Sequence, residues 1–241
     1  MRMATIGVCR LCGDMNVELR NSHILPEFLY TPIYDEKSRA LNISPHLGER
    51  DAPLQLGIRE PLLCTKCEQH FSKNYEDYAA RKIRHLPSTQ HNKPGDIIYV
   101  SGVDYQKFKL FQISLLWRAS VTSKREFSEV SLGGHEERLR LMLASNSPGE
   151  PWEYGCVLTG FSGEELNRFI KLPNRHRFEG HIAYSMVCAG LVWTYIVSSH
   201  THRIAGQASF LQKSNVLPIH IVSTTAEQFS ARIGEMLKGS Q

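Results

Sequence analysis

No apolar run in this 241-residue chain approaches the roughly 18–20 residues that a membrane-spanning helix needs. The most apolar stretch, Ile182 to Val197, is broken by Ser185, Gly190 and Thr194 and reads as paired strands. The residues before Cys9 contain no apolar segment of the secretory-leader kind, so a cytoplasmic protein is expected. Neither sign of charge dominates. The 28 Lys and Arg against 24 Asp and Glu leave +4, which permits nucleic-acid binding without demanding it. There is no internal repeat and no low-complexity tract, and a hydrophobic content of 41% argues against wholesale disorder. A P-loop, a GxGxxG turn and a Ser/His/Asp spacing are all missing, which removes the commonest nucleotide-binding and serine-hydrolase readings.

What the chain does have is cysteine in pairs. Cys9 and Cys12 form one Cys-x-x-Cys hook, and Cys64 and Cys67 form a second. In a reducing compartment such pairs point to metal rather than disulfides. The two-residue gap lets each hook offer both sulfurs to one ion, and four thiolates complete a tetrahedral set for a structural Zn²⁺. Cys156 and Cys188 stand alone in apolar, strand-like runs and read as inert buried thiols.

Around the hooks, Val17 to Arg20 reads as a short strand, followed by a loop holding Ser22-His23-Ile24-Leu25-Pro26. Residues 34–60 are polar and punctuated by Pro45, Gly48, Pro53 and Gly57, which predicts a long surface excursion with a return strand near Leu54 to Ile58. The second hook opens a helix running to about Arg84, with Phe71, Tyr75, Tyr78, Ala79 and Ile83 at helical spacing. Residues 87–95, rich in Pro, Ser, Asn and Gly, are the best linker in the chain. They divide a zinc-binding module at 1–86 from a domain at 96–241.

That second domain predicts α+β structure with a mostly antiparallel sheet. Helices are expected at Asp104–Ala119, with a stripe of Phe108, Phe111, Leu115 and Leu116, and at Glu136–Ala144, Glu164–Lys171 and Thr225–Leu237. Strands are expected at Asp96–Val100, Tyr154–Leu158, His176–Met186, Leu191–Ser198, Ala205–Leu211 and Val216–Ser223.

The order of hook, strand, Ser22-His23-Ile24-Leu25-Pro26, loop, second hook and helix resembles the HNH nuclease superfamily of ββα-metal folds. The resembling residues are that loop together with Cys9-Arg10-Leu11-Cys12-Gly13 and Leu62-Leu63-Cys64-Thr65-Lys66-Cys67-Glu68. They lie within about the first 85 residues. The resemblance implies that His23 is the general base for a water attacking a phosphodiester. It also implies a second divalent ion (Mg²⁺, Mn²⁺ or Ni²⁺) at the leaving oxygen, and a bacterial endonuclease acting in defence against foreign DNA. Ser22 stands where the family has an Asp, Arg59 and Glu60 occupy the neighbourhood of its Asn, and Glu68 replaces its His or Asn. A carboxylate is an acceptable hard-metal ligand, so Glu68 is a candidate, and Glu76 lies two four-residue steps along the same expected helix face.

Nucleic acid is the expected partner, with Arg20, Lys66, Lys73 and Arg81 as candidate phosphate contacts. A protein partner, or a second copy joined through the C-terminal domain, is the alternative; no membrane contact is expected. The competing reading is a non-catalytic zinc knuckle. In it His23 only bridges backbone, Glu68 caps its helix, and Glu76 and the cations are solvated surface charges.

Overall fold

Two short antiparallel strands begin the chain, Thr5–Gly7 (β1) and Val17–His23 (β2), with the first hook in the turn between them. The computed structural model describes residues 4–31, 39–42, 52–55, 57–163, 170–178, 180–200 and 207–223, with backbone alone at 39–42 and 52–55. After β2 come a one-turn helix, Glu27–Tyr30 (α1), and an antiparallel pair, Arg39–Asn42 (β3) with Ala52–Gln55 (β4), inside the expected excursion. Arg59–Cys64 (β5) then pairs antiparallel with β2. The chain turns directly into Thr65–Phe71 (α2), a π turn at Ser72–Glu76, and Asp77–Arg84 (α3). A β-hairpin-like pair followed at once by a helix is therefore present, with the second hook at its corner.

The larger part follows in the order Ile97–Ser101 (β6), Tyr105–Val121 (α4), Gly134–Ala144 (α5), Cys156–Phe161 (β7), Lys171–Phe178 (β8), His181–Cys188 (β9), Leu191–Val197 (β10) and Val216–Val222 (β11). The strands form one sheet ordered β6-β11-β7-β10-β9-β8, parallel only between β11 and β7. The Ile182–Val197 run is the β9–β10 hairpin. Its two-residue turn, Ala189-Gly190, has both φ values positive, at 52° and 74°, the geometry that matches the twist of paired strands. No helix among the described residues is long and apolar enough to cross a membrane.

α4 departs from the expected one-sided stripe. Fourteen of its seventeen residues are buried, because it lies between two packing partners. Trp117 meets Phe71 of α2 edge-on at 6.0 Å, while Phe108 stacks on Trp193 of β10 at 6.1 Å. One apolar core consequently runs from Leu11, Leu62 and Phe71 through α4 to Trp193 and Ile219, across the expected domain boundary.

The 87–95 segment is also tied down. Thr89 Oγ1 donates to the Phe161 carbonyl at 3.2 Å, and Gly95 N–H donates to Ile221 at 2.9 Å. Gly160 makes this close approach possible, since a Cβ there would sit 2.3 Å from Thr89 Cγ2. Two strand expectations change. His176–Met186 is split into β8, which ends at Phe178, and β9, which begins at its partner His181, with Gly180 at φ 82°. The described part of Ala205–Leu211 holds a 3₁₀ turn at Gln207–Ser209, and the Gln212 side chain donates to the carbonyls of Gln207 and of Phe210 just beyond it. The expected helix at Thr225–Leu237, and that at Glu164–Lys171 up to residue 169, lie outside the described residues; Lys171 opens β8.

Candidate metal centre and histidine site

The four paired cysteines converge: their sulfurs all lie within 4.8 Å of one another, with Cys12 and Cys64 at 3.9 Å. Four sulfurs at about 2.3 Å around one tetrahedral ion would be separated by about 3.8 Å, so the residues are positioned to hold a metal ion. Gly13, at φ 80°, lets the first hook close, and its N–H donates to the Cys9 carbonyl at 2.9 Å. Between Arg20 and Asn21 the β2–β5 register slips, leaving Leu62 opposite no residue. The Leu62 carbonyl accepts from Arg10 N–H at 3.0 Å, and Cys64 N–H points at Cys9 Sγ at 3.3 Å. The bulge thus locks one hook onto the other.

Burial pushes the Cys67 thiol well up and raises Cys12 to about 11. At Cys9 the backbone N–H groups of Cys12, Cys64 and Leu11 outweigh burial and hold the thiol below its ordinary value. From the other side, Arg140 of α5 donates to the Leu11 carbonyl at 2.5 Å and Arg10 donates to Val121 of α4 at 3.3 Å.

His23 is the last residue of β2 and lies directly across from Arg59. Cross-strand partners share a face, so imidazole and guanidinium are neighbours. Glu27, just past Pro26, reaches back to both: one carboxylate oxygen contacts His23 Nε2 and accepts from Arg59 Nη2 at 3.1 Å. A carboxylate on one ring nitrogen sets the tautomer and orientation of an imidazole. Immediately before it, Ser22 is fully buried and donates to Glu68 Oε2 at 2.5 Å. Arg118, near the end of α4, donates to the His23 carbonyl at 3.0 Å and to Glu76 Oε1 at 2.5 Å. A groove of about 470 Å³ has Phe28 and Thr31 on one wall and Arg84, Ser88 and Leu191 on others. None of His23, Glu27 and Arg59 lines this groove.

The structure places the residues expected from sequence as follows. Cys9, Cys12, Cys64 and Cys67 form a single group. His23, Glu68 and Glu76 do not: among the described residues the four cysteines are the one group of three or more candidate ligands whose atoms come together. Glu68 is held by the Ser22 hydroxyl and Glu76 by a guanidinium, whose positive charge opposes a cation beside it. A second, hard divalent ion does not fit these residues as they stand. Lys66, Lys73, Arg81 and Arg20 are all exposed, and Arg20 has Glu18 at 3.9 Å.

Sequence reasoning missed the contacts of Glu27, Arg59 and Arg118 around His23. Arg118 left a trace, the one cation in the otherwise uncharged stretch from Leu110 to Val121, where burial demands a partner. Glu27 and Arg59 left none, because only β2–β5 pairing brings them together. No family model, no curated protein and no solved structure matches the chain.

Proposed function

We propose that the chain is an HNH-like endonuclease, a zinc-stapled hydrolase of nucleic-acid phosphodiester bonds with His23 as general base. The observation that carries this reading is the His23–Glu27–Arg59 group at the end of the β2–β5 pair, directly ahead of α2 and its cysteine hook. The all-sulfur donor set suits Zn²⁺, and four protein ligands leave no open position, so that ion's role is structural.

In the tautomer that donates Nε2–H to Glu27, the lone pair is on Nδ1. There it takes a proton from the water whose oxygen bonds to phosphorus as the bond to the 3′ oxygen breaks, and the departing 3′ oxygen takes up a proton from solvent water. Glu27 stabilises the imidazolium that results, and Arg59 adds a cation where a phosphate oxygen would arrive. No step is routed through a second ion.

Plasmid DNA and RNA incubated with the protein, with and without Mg²⁺, Mn²⁺ or Ni²⁺, test the reading. Cleavage is expected, with His23→Ala lowering kcat by on the order of 10²–10⁴ in a protein that keeps its zinc. Intact substrate under every condition would reject it.

The second reading, a non-catalytic zinc knuckle that binds nucleic acid or a protein, is favoured by one observation: Glu68 and Glu76 are engaged elsewhere rather than gathered at His23. Retention of nucleic acid without cleavage is its signature.

A further inference from the structure

Arg118 is 1% exposed, and its charge comes from α4, outside the ββα unit that it enters. One arm of its fork donates to the His23 main chain, the other to Glu76 and, at 3.5 Å, to Ser114 Oγ. The guanidinium carbon lies 5.2 Å from the Phe71 ring centroid. Its Nε is buried with no partner among the described residues, so the two forward contacts set the orientation of the side chain at the expense of the third donor. Glu76 itself is the last residue of the π turn, whose i→i+5 bond runs from Asp77 N–H to the Ser72 carbonyl. Such turns are rare, occur mostly as single-turn bulges inside α-helices, and are frequent at functional sites.

Simple stability does not explain this arrangement. A buried ion pair is commonly no better than well-packed apolar side chains of the same volume. A long apolar residue on α4 would cover Phe71 as well as a guanidinium does. What it would not do is hold the carbonyl of one particular residue. His23 ends the β2–β5 ladder, and its carbonyl takes an Arg118 N–H while Ile24 N–H turns back to Ile58 at 3.0 Å. The ring of His23 is fixed by Glu27 and its main chain by Arg118.

We infer that Arg118, aimed by Glu76, is a positioning residue for His23, through which the sheet-bearing part of the chain sets the geometry of the general base. This rests on the proposed hydrolase reading for its kinetic consequence but not for its structural one. Displacement of a reacting group by about 1 Å can cost a hundredfold in rate. Arg118→Lys keeps the charge and removes the fork; Glu76→Gln keeps the shape and removes the charge that aims it.

The test uses the full zinc-loaded chain and two readouts. The first is kcat and KM on plasmid DNA; the second is the pH titration of the His23 Cε1–H resonance, assigned by its loss in His23→Ala. Both variants are expected to retain zinc, to lose at least about tenfold in kcat with KM within about twofold, and to shift the His23 resonance. Folded variants with wild-type kcat and an unmoved His23 titration would overturn the inference. Should Arg118→Lys fail to fold, Glu76→Gln decides. Should the wild type cleave nothing, the hydrolase reading falls, and an unmoved or displaced resonance still decides whether Arg118 positions His23.

Discussion

Stripping the metal from the four-cysteine centre should unfold the hook while leaving the rest of the molecule standing. In an isolated zinc module the ion contributes about 10–16 kcal/mol, as much as the whole stability of an ordinary domain. Here the hook has other support. Leu11, Leu62 and Leu63 are buried in the shared core, at about 1.5–3 kcal/mol each. Arg140 and Arg10 tie it to Leu11 and Val121 carbonyls, at about 1.5–3 kcal/mol each for bonds with a charged donor. The gross support is about 8–15 kcal/mol. Ordering residues 9–14 costs about 1–2 kcal/mol per residue, so the two nearly cancel and the ion decides.

The assay is amide hydrogen exchange before and after chelation. The N–H groups of Arg10, Gly13 and Cys64, which bond to Leu62, Cys9 and Cys9 Sγ, should lose protection. Amides of β10, all seven of whose residues are buried, should keep theirs. Continued protection of Arg10 and Cys64 in protein shown by elemental analysis to hold no metal would refute the reasoning.

Three further outcomes are expected. Glu27→Gln should lower kcat at least about tenfold while substrate affinity changes little, because the amide cannot stabilise an imidazolium; single-turnover kinetics beside filter binding check it. Gly160→Ala should destabilise the protein by about 1–3 kcal/mol in urea titrations, since its Cβ collides with Thr89; an unchanged midpoint would mean that the 87–95 segment is not anchored there. Burial lowers the Lys109 ammonium to about 8, while its Nζ donates to the Pro151 and Tyr154 carbonyls. Between that value and the unfolded value of about 10.4 the unfolded chain holds the extra proton, so stability should rise with pH. Urea unfolding from pH 8 to 9.5 should show this rise in the wild type relative to Lys109→Met, and equal slopes would contradict it.

Much of the local structure was readable before any coordinates. The cysteine spacing announced two hooks, the helical recurrence of Phe71, Tyr75 and Ala79 announced the helix behind them, and Ser185 and Gly190 did not hide the β9–β10 hairpin. These signals lie within a few residues of one another, where backbone periodicity alone relates side chain to side chain. The π turn was not readable, because nothing in Ser72–Glu76 distinguishes it from one more turn of α-helix.

The sequence by itself determined the convergent cysteine set and the α+β class. It ended the Val17 strand at Arg20 and put Ser22 and His23 in a loop, whereas pairing with β5 carries that strand through His23. Only the tertiary structure decided which charges surround that histidine. Glu27 meets Arg59 across 32 positions and Glu76 meets Arg118 across 42, and both contacts depend on a strand register and on a helix buried on every side. The 87–95 segment reads as a linker by composition and is held down by Gly160, more than sixty residues away. Spacing along the chain carries information about neighbours a turn or a strand apart. Contacts made by packing depend on the shape of everything in between.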